Sequence, residues 1–331
     1  MENEPGPTAR RVLVATHGHC FDGAASAALF SRLVQHVEPG PLEFAYRACG
    51  YGPGQNGLDP AWLDGQINAV LDFRYTTAPQ LHWYFDHHRT AFPMPGDREH
   101  FEQHARADGR RFHDETYGSC SKLIADVGRE RFGFHDPLLD ELVYWADIID
   151  SARFKSAEQA VMRQEPELQL MSVLEHHGDV VLLQKLVPQL ASVPLHEVAT
   201  AAEIQERWAQ LKPLHEAFVE RVRARSVPIG PVVYVDLTDQ LTEVVGKFVT
   251  YALFPESAYS VIVSRARTRS KISVGYNPWS KLPRIHDISA ICAEYGGGGH
   301  AVVGAVSMPS NADEQVRAAA LAIAQRLAKS D

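Results

Sequence analysis

A chain of 331 residues is long enough for two ordinary domains, each burying its own core. Its 45 % hydrophobic and 22 % charged content is that of a globular protein, which excludes a disordered one. A net charge of −9 argues against long-range attraction to duplex nucleic acid or acidic membranes, while leaving room for a local cationic patch.

In chain order, RRVLVAT (10–16) is a short β-branched run ending in polar residues, and GAASAALFSRLVQHV (23–37) has helical composition and apolar spacing. QINAVLDFRY (66–75) and LHWYFDHH (81–88) are further apolar runs, each ending at an aspartate. Strands alternating with helices predict a parallel sheet covered on both faces, with ligands at the carboxyl ends of its strands. Three such ends carry one signature: ATHGHCFDG, VLDFRY and YFDHHRT. PLLDELVYWADIID (137–150) reads as an amphipathic helix ending in acids. Residues 156–225 read as several helices, the longest of them broken by Pro213. VPIGPVVYVDLT (227–238) opens a second strand-rich region. Residues 258–278 there predict two paired strands around a basic turn, with Arg265, Arg267, Arg269 and Lys271. A helix over 286–295 leads into GGGGHAVVGAVSM, and the chain closes on the helix ADEQVRAAALAIAQRLAK. No internal repeat or low-complexity segment interrupts this order.

The predicted fold class is α/β: an N-terminal doubly wound, mainly parallel sheet over 9–190, a helical connector over 191–226, and a smaller C-terminal α/β domain over 227–331. Cys20, Cys49, Cys120 and Cys292 form no CxxC pair and no disulfide-like framework. No apolar stretch reaches bilayer length, and no hydrophobic region follows the arginines of MENEPGPTARR. The expectation is a soluble cytoplasmic protein with no membrane partner.

In a doubly wound sheet the strand ends at 16–22, 72 and 86–88 converge, making neighbours of His17, Asp22, Asp72, Asp86, His87 and His88. Carboxylates packed that closely need a compensating cation. Mixed imidazole and carboxylate ligands suit Mn²⁺, Fe²⁺ or Zn²⁺ better than Mg²⁺ or Ca²⁺. Two divalent ions bridged by one aspartate would satisfy the whole set and support in-line attack of water on a phosphoryl group. A second acid–histidine–histidine run, in LEHHGDV (174–180), has no strand before it and reads as a solvated helix end. Trp62, Trp83 and Trp145 read as core. The glycines of GGGGH (296–300) would let backbone amides approach an anion closely; taken alone they read as a flexible turn.

From THGHCFDGAAS through VLDFRY, DHH and IIDSARF to GGGGH, nearly the whole chain resembles the DHH phosphoesterases that carry a DHHA1 domain. The resemblance implies a dinuclear, usually manganese, hydrolase of phosphodiester or phosphoanhydride bonds, with its active site in the cleft between the two domains. Such enzymes include oligoribonucleases, cyclic dinucleotide phosphodiesterases and single-strand exonucleases. It further implies that His17 binds one metal and Asp22 the other, that Asp72 bridges them, and that His87 completes the second. His88 would then face the substrate phosphate, and Asp86 would orient the loop. IIDSARF is similar to the family's D-T-G-x-F segment, implying Asp150 as the last ligand with Asp147 in reserve. Ser26 matches a serine at the start of the first helix. Gly297, Gly298, Gly299 and His300 would hold substrate from the second domain.

Three departures stand out. Cys20 replaces a usual aspartate; either it binds and shifts preference from Mn²⁺ toward Zn²⁺ or Fe²⁺, or it abstains and water or His19 fills in. HAVVG is one residue shorter than the family's H-x-x-A-A-G. Gly275, Tyr276 and Asn277 replace an arginine–serine pair, with Tyr276 placed to stack on a base and Asn277 to bond one. The expected function is metal-dependent hydrolysis of short single-stranded oligonucleotides or linear dinucleotides to mononucleotides. Two alternatives stand beside it: a pyrophosphatase or polyphosphatase, and a nucleotide-binding regulatory protein whose catalysis lapsed with Cys20. Monomer and homodimer are both open.

Overall fold

The computed structural model describes residues 8–50, 58–241, 246 and 248–329. The chain forms two compact units. One comprises residues up to Arg153 together with Glu165–Ala209; the other comprises Phe154–Gln164 and residues from Gln210 onward. The division falls inside the segment expected to act as a connector, and a short piece after Arg153 joins the second unit.

The first unit follows the alternation of its sequence. β1 (Arg10–His17), α1 (Phe21–Val37), β2 (Leu42–Cys49), β3 (Ile67–Leu71), β4 (Trp83–Asp86), α2 (Asp97–Asp108), β5 (Arg111–His113), α3 (Cys120–Phe132) and α4 (Asp140–Asp150) come in that order. Its five strands are all parallel and run β2-β1-β3-β4-β5 across the sheet. Every residue of β3 and β4 is buried, as expected of strands covered on both faces. On one face Leu13, Ala15, Val70 and Tyr84 pack with Phe101 of α2. On the other, Phe30 of α1 meets Trp83 and Phe85 edge-on, at 5.7 and 6.4 Å between ring centroids.

This order puts a topological switch beside β1: the chain leaves it for β2 on one side and returns at β3 on the other. Ligands in open α/β sheets bind at such a point, beyond the carboxyl ends of the strands. Register sharpens the effect. Thr16 pairs with Leu71, and Leu71 pairs with Phe85. His17, Asp72 and Asp86 are therefore the next residues along three adjacent strands.

α5 (Ala157–Met162) belongs to the second unit, and α6 (Pro166–His177), α7 (Val180–Leu190) and α8 (Leu195–Thr200) belong to the first. α9 (Ala202–Arg225) carries the chain across the division. Pro213 does not break α9, contrary to expectation. A proline removes a single intrahelical N–H, and α9 buries Trp208, Leu211, Val219 and Val222 on either side of it.

The remaining elements are β6 (Ser226–Ile229), β7 (Val232–Leu241), α10 (Val249–Leu253), β8 (Tyr259–Arg265), β9 (Arg269–Tyr276), α11 (Ile288–Ala293), β10 (Gly298–His300), β11 (Val303–Pro309) and α12 (Asp313–Leu327). Their six strands form one mixed sheet, β10-β11-β9-β8-β7-β6, in which only β7 and β8 pair in parallel. β8 and β9 are the paired strands expected around the basic turn, and Arg265 there binds Asp313 at 3.0 Å. α12 lays Val316, Ala320, Ile323, Ala324 and Leu327 into the core of this unit at helical spacing. Among the described residues no helix is long and apolar enough to cross a membrane.

Candidate metal centre

The centre is built where β1 gives way to α1. Gly18 donates its N–H to the Cys49 carbonyl at 2.8 Å, and a Cβ there would meet that of Ala48 at 2.7 Å. His19 follows in the left-handed region, φ 55°, and its N–H bonds the Gly178 carbonyl at 2.9 Å. Gly23 closes the turn, because a Cβ there would lie 2.1 Å from the His17 carbonyl oxygen. Thr16 locks the same contact by donating its hydroxyl to the Gly23 carbonyl at 2.7 Å. The FDG sequence is thus a packing requirement that holds His17, Cys20 and Asp22 on one tight bend.

The other strand ends are fixed as firmly. Asp72 adopts φ 53° and donates its N–H to the Phe85 carbonyl at 2.9 Å, which turns the residue out of β3. Asp86 is fully committed. One carboxylate oxygen accepts from the His87 N–H at 2.9 Å, the His88 N–H at 3.3 Å and His88 Nδ1 at 2.7 Å. The other accepts the Tyr84 hydroxyl at 3.0 Å. Asp86 therefore orients the loop. His87 Nδ1 donates to the Tyr117 carbonyl at 3.1 Å, which leaves Nε2 as the nitrogen turned toward Asp72 and Asp150.

These supports gather the expected side chains. His17 Nδ1 is 3.6 Å from one Asp72 oxygen, and His87 Nε2 is 3.6 Å and His88 Nδ1 3.7 Å from the other. His87 Nε2 is also 3.2 Å from Asp150. Three groups have donor atoms within 4.8 Å of one another: His17, Cys20 and Asp72; Asp72, His87 and His88; Asp22, His87 and Asp150. Asp72 belongs to two of them, as a bridging carboxylate would.

Whether cations fit can be judged from Asp72 itself. It is 1 % exposed, and neither of its carboxylate oxygens has a hydrogen-bond partner. Leaving a buried carboxylate so bare is costly unless a positive charge sits beside it. Burial pushes its pKa up, but His17 and His87 overcome that and hold it at about 2. Burial works against protonation of His87, yet Asp150 and Asp72 raise its pKa to about 11. The acids thus draw positive charge inward, and in the protein alone part of it is a proton on His87. His88 is raised mainly by its bond to Asp86. Asp22 is pushed up by burial, then by Asp72 and Asp150. Asp150 sits in the last turn of α4, the end of a helix where an acid is electrostatically disfavoured. A cation there would remove the penalty.

No family model and no curated protein matches the sequence. Solved structures do. A pGpG-specific phosphodiesterase from Vibrio cholerae superposes with a TM-score of 0.63 at 18 % identity, over 95 % of this chain and 98 % of its own. The DHH domain of a protein from a ribosomal-protein family gives 0.56 at 12 % identity, over 97 % and 88 %. This is a DHH fold. RecJ from Thermus thermophilus, a structure in complex with Mn²⁺, gives 0.54 at 14 % identity, covering 96 % of this chain but 52 % of that one. Identities this low make the likeness one of fold.

Within the DHH fold, the remaining candidates separate. Asp147 is paired with Arg153 and accepts from Ser119 Oγ at 3.3 Å, so Asp150 is the acid that faces His87. Gly297, Gly298, Gly299, His300, Tyr276 and Asn277 belong to the second unit. Gly298–His300 forms an exposed edge strand, neither a loop nor a flexible turn, and Gly299 has φ 148° with the Val303 carbonyl 2.2 Å from any Cβ. Asn277, expected to bond a base, is 1 % exposed; its amide donates to the Ser257 carbonyl at 2.9 Å and accepts the Trp279 N–H at 3.1 Å. Its side chain is structural. Tyr276 likewise donates its hydroxyl to the Leu282 carbonyl at 2.8 Å and packs on Tyr259.

Two supports escaped the sequence reading. Asp22 accepts the Cys120 and Ser121 N–H groups at 2.7 and 3.1 Å, so the first turn of α3 orients a candidate ligand. Gly178, at the end of α6, braces His19. Both contacts span about a hundred residues or more in sequence, and no local pattern marks them.

Proposed function

We propose that the chain is a metal-dependent phosphodiesterase that hydrolyses short single-stranded oligonucleotides or linear dinucleotides, such as pGpG, to mononucleotides. The observation that carries this reading is the buried Asp72 carboxylate, bare at both oxygens and faced by three imidazoles. His17, Cys20 and Asp72 would hold one divalent ion, and Asp22, Asp72, His87 and Asp150 the other, for which manganese is the expected metal. Bound there, the pair would supply a nucleophile at neutral pH and neutralise charge developing on phosphorus.

The chain's own residues do the positioning. Asp86 holds His88 by Nδ1, so that Nε2 is the nitrogen left to donate toward a phosphate oxygen. The His88 side chain is 32 % exposed against 10 % for His87, which suits the first to substrate and the second to metal. The activities named for similar folds, pGpG hydrolysis and an exonuclease, support this substrate class.

The test is to incubate chelator-treated protein with Mn²⁺ and, separately, a linear dinucleotide, a pentanucleotide and pyrophosphate. Mononucleotides from the first two are expected. Phosphate from pyrophosphate alone would make the chain a pyrophosphatase, and binding without turnover in any metal would make it a regulatory protein.

A further inference from the structure

The two halves of the centre are chemically unlike. On one side, His17, Cys20 and Asp72 present nitrogen, sulfur and oxygen within 4.8 Å of one another. On the other, Asp22, His87 and Asp150 present a nitrogen and carboxylate oxygens. We propose that Cys20 is a metal-ligating thiolate, which makes its position selective for zinc or ferrous iron beside a carboxylate-rich position that takes manganese. The inference rests on the dinuclear reading above and deepens it.

Capping does not explain the thiol. Cys20 is the N-cap of α1, with φ −133° and ψ 135°, and its side chain makes no capping hydrogen bond. Serine, aspartate or asparagine would cap better. Core packing does not explain it either, because Cys20 is partly exposed, whereas Cys49, Cys120 and Cys292 are buried. Cys120 shows what a packed thiol does here, donating to the Phe85 carbonyl at 3.3 Å. Cys20 instead faces Asp72, a buried acid with no hydrogen bond. Soft thiolate ligands favour zinc and iron over manganese. As the sulfur–metal bond forms, the thiol releases its proton to solvent, so no oxidant or reductant is required.

Cobalt(II) reports the bond directly. Metal-free wild-type protein titrated anaerobically with Co²⁺ should develop a near-ultraviolet sulfur-to-cobalt charge-transfer band. Cys120→Ala should keep the band, while Cys20→Ser and Cys20→Asp should lose it. Dialysis against equal Zn²⁺, Fe²⁺ and Mn²⁺, followed by elemental analysis, should leave wild type with one equivalent of zinc or iron, the analysis deciding which. Cys20→Asp should shift the ratio toward manganese by about tenfold or more, within the range by which a metal's surroundings tune affinity. Should either variant fail to fold, alkylation of wild-type Cys20 supplies the same answer, and Zn²⁺ should protect it. An unchanged band in Cys20→Ser, manganese alone in the wild type, or alkylation that ignores zinc would overturn the inference and leave a dinuclear centre standing. Failure to bind any of these metals would remove the dinuclear reading itself.

Discussion

Asp86-His87-His88 and Glu175-His176-His177 spell almost the same three letters, yet they behave as opposites. The first begins at the last residue of a fully buried strand, and its two imidazoles lie beside Asp72. The second ends α6, where exposed His176 binds the Ser172 carbonyl of its own helix at 2.9 Å. Their protonation diverges accordingly. His87 is raised to about 11 by Asp150 and Asp72 against the effect of burial, while His177 is lowered by burial and then by Arg207 and His176. Residue types alone do not gather side chains that could hold a metal. The end of a central parallel strand, in register with a second acid on its neighbour, does.

Asp72→Asn attacks that register partner and should have the largest effect. Asparagine tolerates the left-handed φ of 53°, so the fold should survive. Turnover and metal affinity should each fall by more than about 100-fold, beyond what an orienting residue contributes, and the metal-induced rise in Tm should shrink accordingly. Steady-state kinetics and thermal unfolding with and without Mn²⁺ check this; wild-type behaviour would refute the bridge.

Asp86→Asn and Glu175→Gln then test the comparison letter for letter. Asp86 anchors two N–H groups, an imidazole and a hydroxyl, so its amide should cost about 10–100-fold in activity. Glu175→Gln should leave turnover unchanged. Equal losses would mean that the two runs differ less than their surroundings indicate.

Acid should weaken metal binding through the first run and not the second. His87, raised to about 11, must release a proton before Nε2 can ligate. Proton and metal compete for one atom, so apparent affinity should fall as pH falls, by about tenfold per unit for each proton displaced. Calorimetric titration at pH 7 and 8 in buffers of differing ionisation enthalpy counts those protons. A flat profile would contradict the ligand role of His87.

Much of this first run is legible in the sequence. Apolar stretches ending in Asp72 and Asp86 marked strands buried on both faces, and helices between them implied parallel pairing, which places both acids at one edge. The absence of a strand before Glu175 marked the other run as different. Long-range contacts were not legible. Nothing near Asp22 announces that α3 amides hold it. Asn277 is buried for a related reason: a polar side chain beside a turn looks available until the backbone it serves is known.

Gly178 is where the contrast between the two runs is least complete, because the second run is not idle. Its carbonyl accepts the His19 N–H at 2.9 Å, and a Cβ would lie 2.4 Å from the Leu174 carbonyl oxygen and 2.9 Å from the His19 Cα. Both obstacles are backbone, so Gly178→Ala must displace either the end of α6 or the bend that carries His17 and Cys20. Crowding of this kind costs about 1–3 kcal/mol. If the bend yields, metal affinity should drop a few-fold as well, whereas if the helix yields, stability alone should fall. Chemical denaturation and metal titration on the same variant separate the two outcomes. A loss of affinity with stability intact would place the Gly178 carbonyl closer to the chemistry than its neighbours His176 and His177.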